Sequence, residues 1–381
     1  MRVFYISEVQ WRSQISRKHQ IVRRLPPDWD IVFVSPMNMR AGENSFRLRE
    51  DRDHPNVRFV SLPLPKPDSA LALIRSLTGL LTRTGTRHIL SDVASFSPDI
   101  AVCSYIWAAP AVSQVKSRGC PVVYDCNDLH PAFYPARRNE AEAMFRSLVN
   151  EATEVVCSSS YLRDICGRGR LIGNGVDLEL FHRRTDVPLP AAIAESRLAA
   201  CEHLVMYVGS VDDRVDFGIV SELVRALAGR QPRTGLVCLG RIFEGAESAV
   251  KALTERHPEN VLFTGRVPYE QLPRYMSHAS VGVAPFVLDE RTRAINPNKL
   301  YMYAAMDQNV VSTPFSDEVT AQSDLVYIAD GAEAFTGCVK EALGDDERRR
   351  AMRERIAAPN SWRERALDFR ALLEELAEPS H

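Results

Sequence analysis

The sequence predicts an α/β protein made of two successive doubly wound parallel-sheet domains, and three observations carry that expectation. Its 381 residues exceed the ~250–300 beyond which one hydrophobic core stops growing. Short Val-, Ile- and Leu-rich runs bounded by Gly, Pro and Ser recur along the chain, as in strands buried on both faces of a parallel sheet. Helix-length segments separate them, and two such alternating series follow one another.

The first series reads as strands at RVFYIS (2–7), DIVFVSP (30–36), VRFVSLP (57–63), DIAVCSY (99–105), PVVYDC (121–126) and EVVCSS (154–159). Between the first two, SEVQWRSQISRKHQ (7–20) supplies a strand-end loop and the start of a helix. The segment 69–90 sets Ala70, Leu73, Ile74, Leu77 and Leu81 at helical spacing, with Arg75, Arg83 and Arg87 among them. It reads either as an amphipathic core helix or as one resting on an anionic membrane surface. The second series has strands at 203–210, 234–240, 260–265, 279–286 and 309–315, with helices at 215–229, 245–256 and 268–278. The seam falls at Asn174-Gly175-Val176-Asp177, before the polar linker HRRTDVPLP. This gives a first domain over 1–175 and a second over 176–360. A terminal helix within 361–381 is free to cross back to the first domain.

Composition narrows the class. Hydrophobic residues make up 45% and charged residues 25%, the balance of an ordinary globular protein. A net charge of −2 gives no reason to expect nucleic acid as partner, although Arg17-Lys18 and Arg23-Arg24 form a basic face in the first domain. Eight cysteines occur without a C-x-x-C pair, which suits buried thiols in a reducing compartment better than a zinc site or disulfide framework. The start MRVFYIS reads as a strand rather than a leader, and no apolar run reaches the ~18 residues of a membrane span. A cytoplasmic protein is expected, peripheral to the membrane if the 69–90 helix rests there.

In open α/β sheets, ligands bind at the carboxyl ends of strands. In NPNKLYMYAAM (296–306), Asn296 suits an N-cap and Pro297 the first helical position. The free N–H groups of that turn, with Lys299 beside them and Arg291-Thr292-Arg293 just before, would suit a diphosphate. The same residues also read as an ordinary capped helix. In VVYDCNDLHP (122–131), Asp125, Asp128 and His130 follow a strand. A carboxylate there can serve as a general base or merely cap a turn.

PNKLYMYAAMDQNVVSTP (297–314) resembles the donor-binding helix and strand of GT-B glycosyltransferases of the family-4-like group, P-x-K-L-Y-E-Y-L-A-A-G-x-P-V-V-S-T. LIGNGVDLELF (171–181) resembles that group's domain junction, and YVGSVDDRVDF (207–217), LGRIF (239–243) and 263–286 fall in its order. The resemblance implies a GT-B fold with an inter-domain cleft, an acceptor-binding first domain and a donor-binding second domain. It implies that Lys299 holds the donor diphosphate, with Gly209 and Ser210 beside the same phosphates, and that Asn298, Leu300 and Met302 belong to the donor-binding set. Gly240, Arg241, Arg266 and Val267 would cradle the nucleobase. Trp11, Arg12, Gln14 and His130 become candidates for acceptor contact, against the alternative that they pack.

Departures from the pattern point further. Met302 stands where the group carries a ribose-binding glutamate, and a thioether is a weak acceptor. Ala294 stands where retaining members have a second glutamate, and Asp307 and Asn309 replace the usual glycine and proline. These features are closer to the inverting xanthan-glucuronosyltransferase-like branch, whose Y-x-x-S-D-G aspartate corresponds to Asp128. The implied reaction moves a sugar from a nucleoside-diphosphate-sugar, with a UDP-sugar as first guess, to a sugar, lipid-linked or small-molecule acceptor. The implied setting is polysaccharide or glycoconjugate synthesis, without metal or other cofactor. A non-catalytic nucleotide-sugar-binding protein and a sugar-nucleotide epimerase are the rival readings.

Overall fold

Two parallel sheets, each the spine of its own compact unit, organise the chain in a computed structural model describing residues 1–13, 15–36, 47–62 and 75–378. Gln14 and the 69–74 portion of the basic amphipathic segment lie outside the described residues, and the rest of that segment forms the helix Arg75–Phe96. Unit 1 comprises Met1–Gly173 with Arg365–His381, and unit 2 comprises Asn174–Glu364. No helix among the described residues is long and apolar enough to cross a membrane.

Unit 1 contains β1 (Arg2–Ile6), β2 (Asp30–Pro36), β3 (Arg49–Glu50), β4 (Val57–Leu62), β5 (Ile100–Cys103), β6 (Val122–Cys126), β7 (Glu154–Cys157) and β8 (Arg170–Leu171). Their order is β3-β4-β2-β1-β5-β6-β7-β8, parallel except for the β3–β4 pair. The inner strands are buried on both faces because helices cover them, so they appear in the sequence as apolar runs rather than alternations. β3, β8 and the two-residue strand Tyr327–Ile328 of unit 2 escape a sequence reading, since two residues carry no periodicity.

Unit 2 contains β9 (His203–Val208), β10 (Thr234–Leu239), β11 (Val261–Gly265), β12 (Val281–Ala284), β13 (Asn309–Ser312) and β14 (Tyr327–Ile328), all parallel, in the order β11-β10-β9-β12-β13-β14. The order reverses between β1 and β5 in unit 1 and between β9 and β12 in unit 2. Those two points are where an open sheet leaves a crevice at its carboxyl edge.

One side chain locks the helix Asn298–Ala305 onto the second crevice. Tyr303 is fully buried, its ring lies on Gly282 where any Cβ would clash at 2.3 Å, and its hydroxyl accepts from Val208 N at 2.8 Å and donates to Val283 O at 3.1 Å. Helix, β9 and β12 are thereby held in one register. Asp307, the second residue past the helix, has φ +52°, a left-handed conformation that glycine adopts without a Cβ penalty.

Candidate functional site

Unit 2 gathers glycine loops and two cations, Lys299 and Arg214, near the ends of β9, β10 and β12. Gly209, at φ +136°, ends β9 with its bare face toward Lys299, whose Nζ would lie 3.4 Å from an added Cβ. Gly240 follows β10, and a Cβ there would meet Gly209 O at 1.7 Å. The two loops can therefore approach this closely only because residue 240 is a glycine. Gly209 N donates to Leu239 O and Gly240 N to Gly265 O, each at 2.9 Å, which ties the three strand-end loops together.

Lys299 is partly buried, its Nζ 3.7 Å from the centroid of the Phe286 ring and 4.3 Å from that of Tyr207. Among the described residues it has no hydrogen bond or ion pair. Burial holds its ammonium pKa well below the ordinary value, the nearby Arg214 lowers it further, and Asp212 only partly opposes. A cation kept partly dry with no ion-pair partner among the described residues can attract an external anion. Arg214 stands beside it, held by Asp212 through Nε–Oδ1 at 3.0 Å and Nη2–Oδ2 at 2.5 Å.

The helix opening differs in detail from the sequence expectation. Asn296 is not its N-cap. Pro297 holds that position without a side-chain cap, and the Asn296 amide oxygen accepts from Asn174 N at 3.2 Å and Tyr301 Oη at 3.0 Å. The first-turn N–H groups of Asn298 and Lys299 are thus left uncapped by side chains. The expected charge of Arg291 is spent internally, since it pairs with Asp213 at 2.8 Å and Asp289 at 2.7 Å. Asn298, Arg241 and Arg266 are exposed, Arg241 lying over Phe243 at 4.6 Å, while Ser210 and Val267 are partly buried. Leu300 and Met302 belong to the buried core of the unit, Met302 being 6% exposed.

Unit 1 gathers a different constellation at the ends of β1, β5 and β6. Asp125 is fully buried, accepting from Tyr5 Oη at 3.1 Å and pairing with Arg17 Nε at 3.1 Å, while Arg17 Nη1 donates to Gly173 O at 2.7 Å. Glu8, just after β1, pairs with the buried Lys18 and accepts from Ser104 Oγ at 2.7 Å. Burial pushes the Glu8 carboxyl up, but Lys18, His130 and the Ser104 hydrogen bond together hold it below its usual value. Asp128 is partly exposed and accepts from Asn127 Nδ2 at 2.6 Å. His130 is buried with Nδ1 unpartnered among the described residues, and burial lowers its pKa against the opposing charges of Glu8 and Asp128.

Trp11 does not present itself to an acceptor. It is 2% exposed, packed against Phe33, His19 and His54, with Arg23 over its ring. Arg12 is more open, near Asp51 at 3.9 Å and over Phe59 at 5.0 Å. Sequence reasoning missed Glu8, Lys18, Ser104, Tyr207, Arg214 and Phe286. Glu8, Ser104 and Phe286 all lie within two residues of a strand's carboxyl end, a signal that inspection of every strand end would have caught.

Residues 16–174 match a glycosyl transferase 4-like domain, and residues 202–345 match the glycosyl transferases group 1 domain. A Bacillus subtilis (strain 168) protein, TuaH, named provisionally as a teichuronic acid biosynthesis glycosyltransferase, is 27% identical over 63% of this chain and 64% of its own length. A glycogen synthase of Paracidovorax citrulli is 28% identical over 53% of this chain and 42% of its own. The chain thus spans less than two thirds of each of these relatives. Among solved structures, the sucrose-phosphate synthase of Thermosynechococcus elongatus superposes with a TM-score of 0.79 at 18% identity, covering 98% of both chains. A trehalose-6-phosphate structure from E. coli bound with UDP-2-fluoro glucose gives 0.73 at 10% identity over 100% of both. At these identities the structural likeness is one of fold.

Proposed function

From the premise that this chain belongs to the GT-B glycosyltransferases, with a 4-like domain followed by a group 1 domain, we propose that it moves a sugar from a nucleoside-diphosphate-sugar to an acceptor hydroxyl. The observation that carries the donor assignment is Lys299, unpaired among the described residues and set against the bare face of Gly209 at an uncapped helix start. Diphosphate charge would be met there by the ammonium, the first-turn N–H groups and the adjacent Arg214, without a metal ion. Gly240, Arg241, Arg266 and Val267 flank the same loops and would face the base, with a UDP-sugar the first donor to try. Met302, buried behind the helix start, would leave the ribose without the usual acid.

The proposed mechanism is inversion by direct displacement. Asp128 takes the proton of the acceptor hydroxyl as it attacks the anomeric carbon, and the nucleoside diphosphate is the leaving group. Partial exposure of Asp128, against full burial and ion pairing of Asp125, supports this choice between the two aspartates. It also agrees with the xanthan-glucuronosyltransferase-like reading. Synthesis of a surface polysaccharide is the proposed setting, supported by the likeness to TuaH, with His130 and Arg12 near the acceptor.

The test is product analysis with UDP-, dTDP-, GDP- and ADP-sugars and carbohydrate acceptors, in chelator. Transferred sugar of inverted configuration is expected. Donor bound but unchanged would favour a binding protein, and an epimerised donor would favour an epimerase; either replaces the transferase reading.

A further inference from the structure

Three of the eight cysteines converge beside the loop that carries Asp128. Cys126 ends β6 and Cys157 ends β7, and they are register partners on these neighbouring parallel strands. Register partners project to the same face of the sheet. The helix Ser160–Cys166 then returns over that face and brings Cys166 Sγ to 4.0 Å from Cys126 Sγ. The segment that follows closes tightly on the cluster, since a Cβ on Gly169 would meet Val155 O at 2.7 Å and Cys157 Sγ at 3.3 Å.

The three thiols are not equivalent. Cys126 and Cys157 are fully buried, whereas Cys166 is partly exposed. Hydrogen bonding with the Cys126 and Cys157 thiols holds the Cys166 thiol well below its ordinary pKa, outweighing burial, with Arg168 adding to the effect. Every other cysteine is shifted upward. A partly exposed thiolate with a buried thiol in contact is the arrangement of a peroxide-sensitive pair.

We propose that this cluster is an oxidation site at which a hydroperoxide converts Cys166 and Cys126 to a disulfide. The Cys166 thiolate attacks one peroxide oxygen, the O–O bond breaks, and hydroxide leaves, so sulfur is oxidised by two electrons to a sulfenic acid and peroxide is reduced. Cys126 then attacks the Cys166 sulfur, the S–O bond breaks, and the Cys126 proton leaves with the hydroxide as water. Closing the gap from 4.0 Å to the ~2.05 Å of a disulfide draws in the end of β6. Cys126 Sγ already lies 4.0 Å from the Asp128 carbonyl oxygen, so oxidation displaces the Asp128 loop. This consequence, unlike the disulfide itself, rests on the reading of Asp128 as the base.

Peptide mapping of the reduced full chain after hydrogen peroxide, with remaining thiols blocked, tests the site directly. The expected product is one cross-linked species joining Cys126 and Cys166, two hydrogens lighter and reversed by dithiothreitol. Cys166→Ser should leave Cys126 reduced, and Cys126→Ala should leave a Cys166 sulfenic acid that dimedone traps. Oxidation of Cys166 no faster than of Cys201, or pairing of Cys166 with any other cysteine, overturns the proposal. Sugar transfer should fall by about 10²-fold on oxidation, the lower end of base removal, and return on reduction, with Cys166→Ser insensitive. A disulfide that leaves transfer unchanged overturns the link to Asp128. The mapping reads out whether or not the chain is a transferase.

Discussion

In unit 1, Arg17 meets Asp125 and Lys18 meets Glu8, whereas in unit 2 Lys299 meets two aromatic rings and, among the described residues, no carboxylate. Both sets sit near the carboxyl edge of a sheet, the unit 1 pairs largely buried and Lys299 partly so. A buried pair satisfies itself, and it exposes an uncompensated charge only when one partner is deleted. A dry, unpaired ammonium instead keeps an unspent potential for an external anion. The comparison separates residues that hold a sheet edge together from those left available for chemistry: Asp125, Arg17, Glu8 and Lys18 in the first group, Lys299 in unit 2 and the partly exposed Asp128 in unit 1 in the second.

The largest effect expected from this division is on turnover. Asp128→Asn keeps shape but cannot take a proton, so transfer should drop ~10²–10⁴-fold with donor affinity and thermal stability nearly unchanged. Near-normal turnover, measured by product formation under saturating donor, removes Asp128 from the mechanism. Asp125→Asn should behave oppositely. It leaves Arg17 buried without its charge partner, a loss of about 3–5 kcal/mol in folding stability, visible in urea unfolding. Stability equal to wild type would show that the pair is not the structural element described.

Lys299→Ala comes next, weakening nucleoside-diphosphate binding by ~1.5–3 kcal/mol, the scale of a hydrogen bond to a charged group, while nucleoside binding stays weak and unaltered. The smallest effect is on the unliganded fold. The ammonium pKa lies below its unfolded value, so the unfolded chain binds more protons, and the cost of burying the charge shrinks as pH rises through that window. Lys299→Met should therefore stabilise the protein at neutral pH, since it removes the cost of burying the ammonium. The gain should fade at alkaline pH. A destabilised variant would show that the lysine is held by contacts of its own.

How far this was legible in the sequence follows from the physics of each element. Inner strands such as Asp30–Pro36 and Thr234–Leu239 announce themselves because burial on both faces demands continuous apolar residues. Lys299 was readable from a helix start and Gly209 only through the family resemblance, and the structure places them side by side. Asn296 was misread as a cap because its amide is claimed by Asn174 and Tyr301, partners 122 and 5 residues away. Trp11 and the pairing of Arg17 with Asp125 depend on contacts across the sheet that no local pattern encodes.

Calorimetric titration of wild type and Lys299→Met with UDP, dTDP, GDP and ADP, each in buffers of different ionisation enthalpy, tests most directly whether the unpaired lysine is the diphosphate site. A bound diphosphate favours the ammonium and raises its depressed pKa, so near and above that pKa the wild type should take up protons on binding its cognate nucleotide. Its affinity should fall as pH rises through the lysine's titration. Lys299→Met should bind more weakly, with that component of proton uptake gone. Equal affinity in the two proteins, or wild-type binding with the same proton linkage as the variant, would contradict the account.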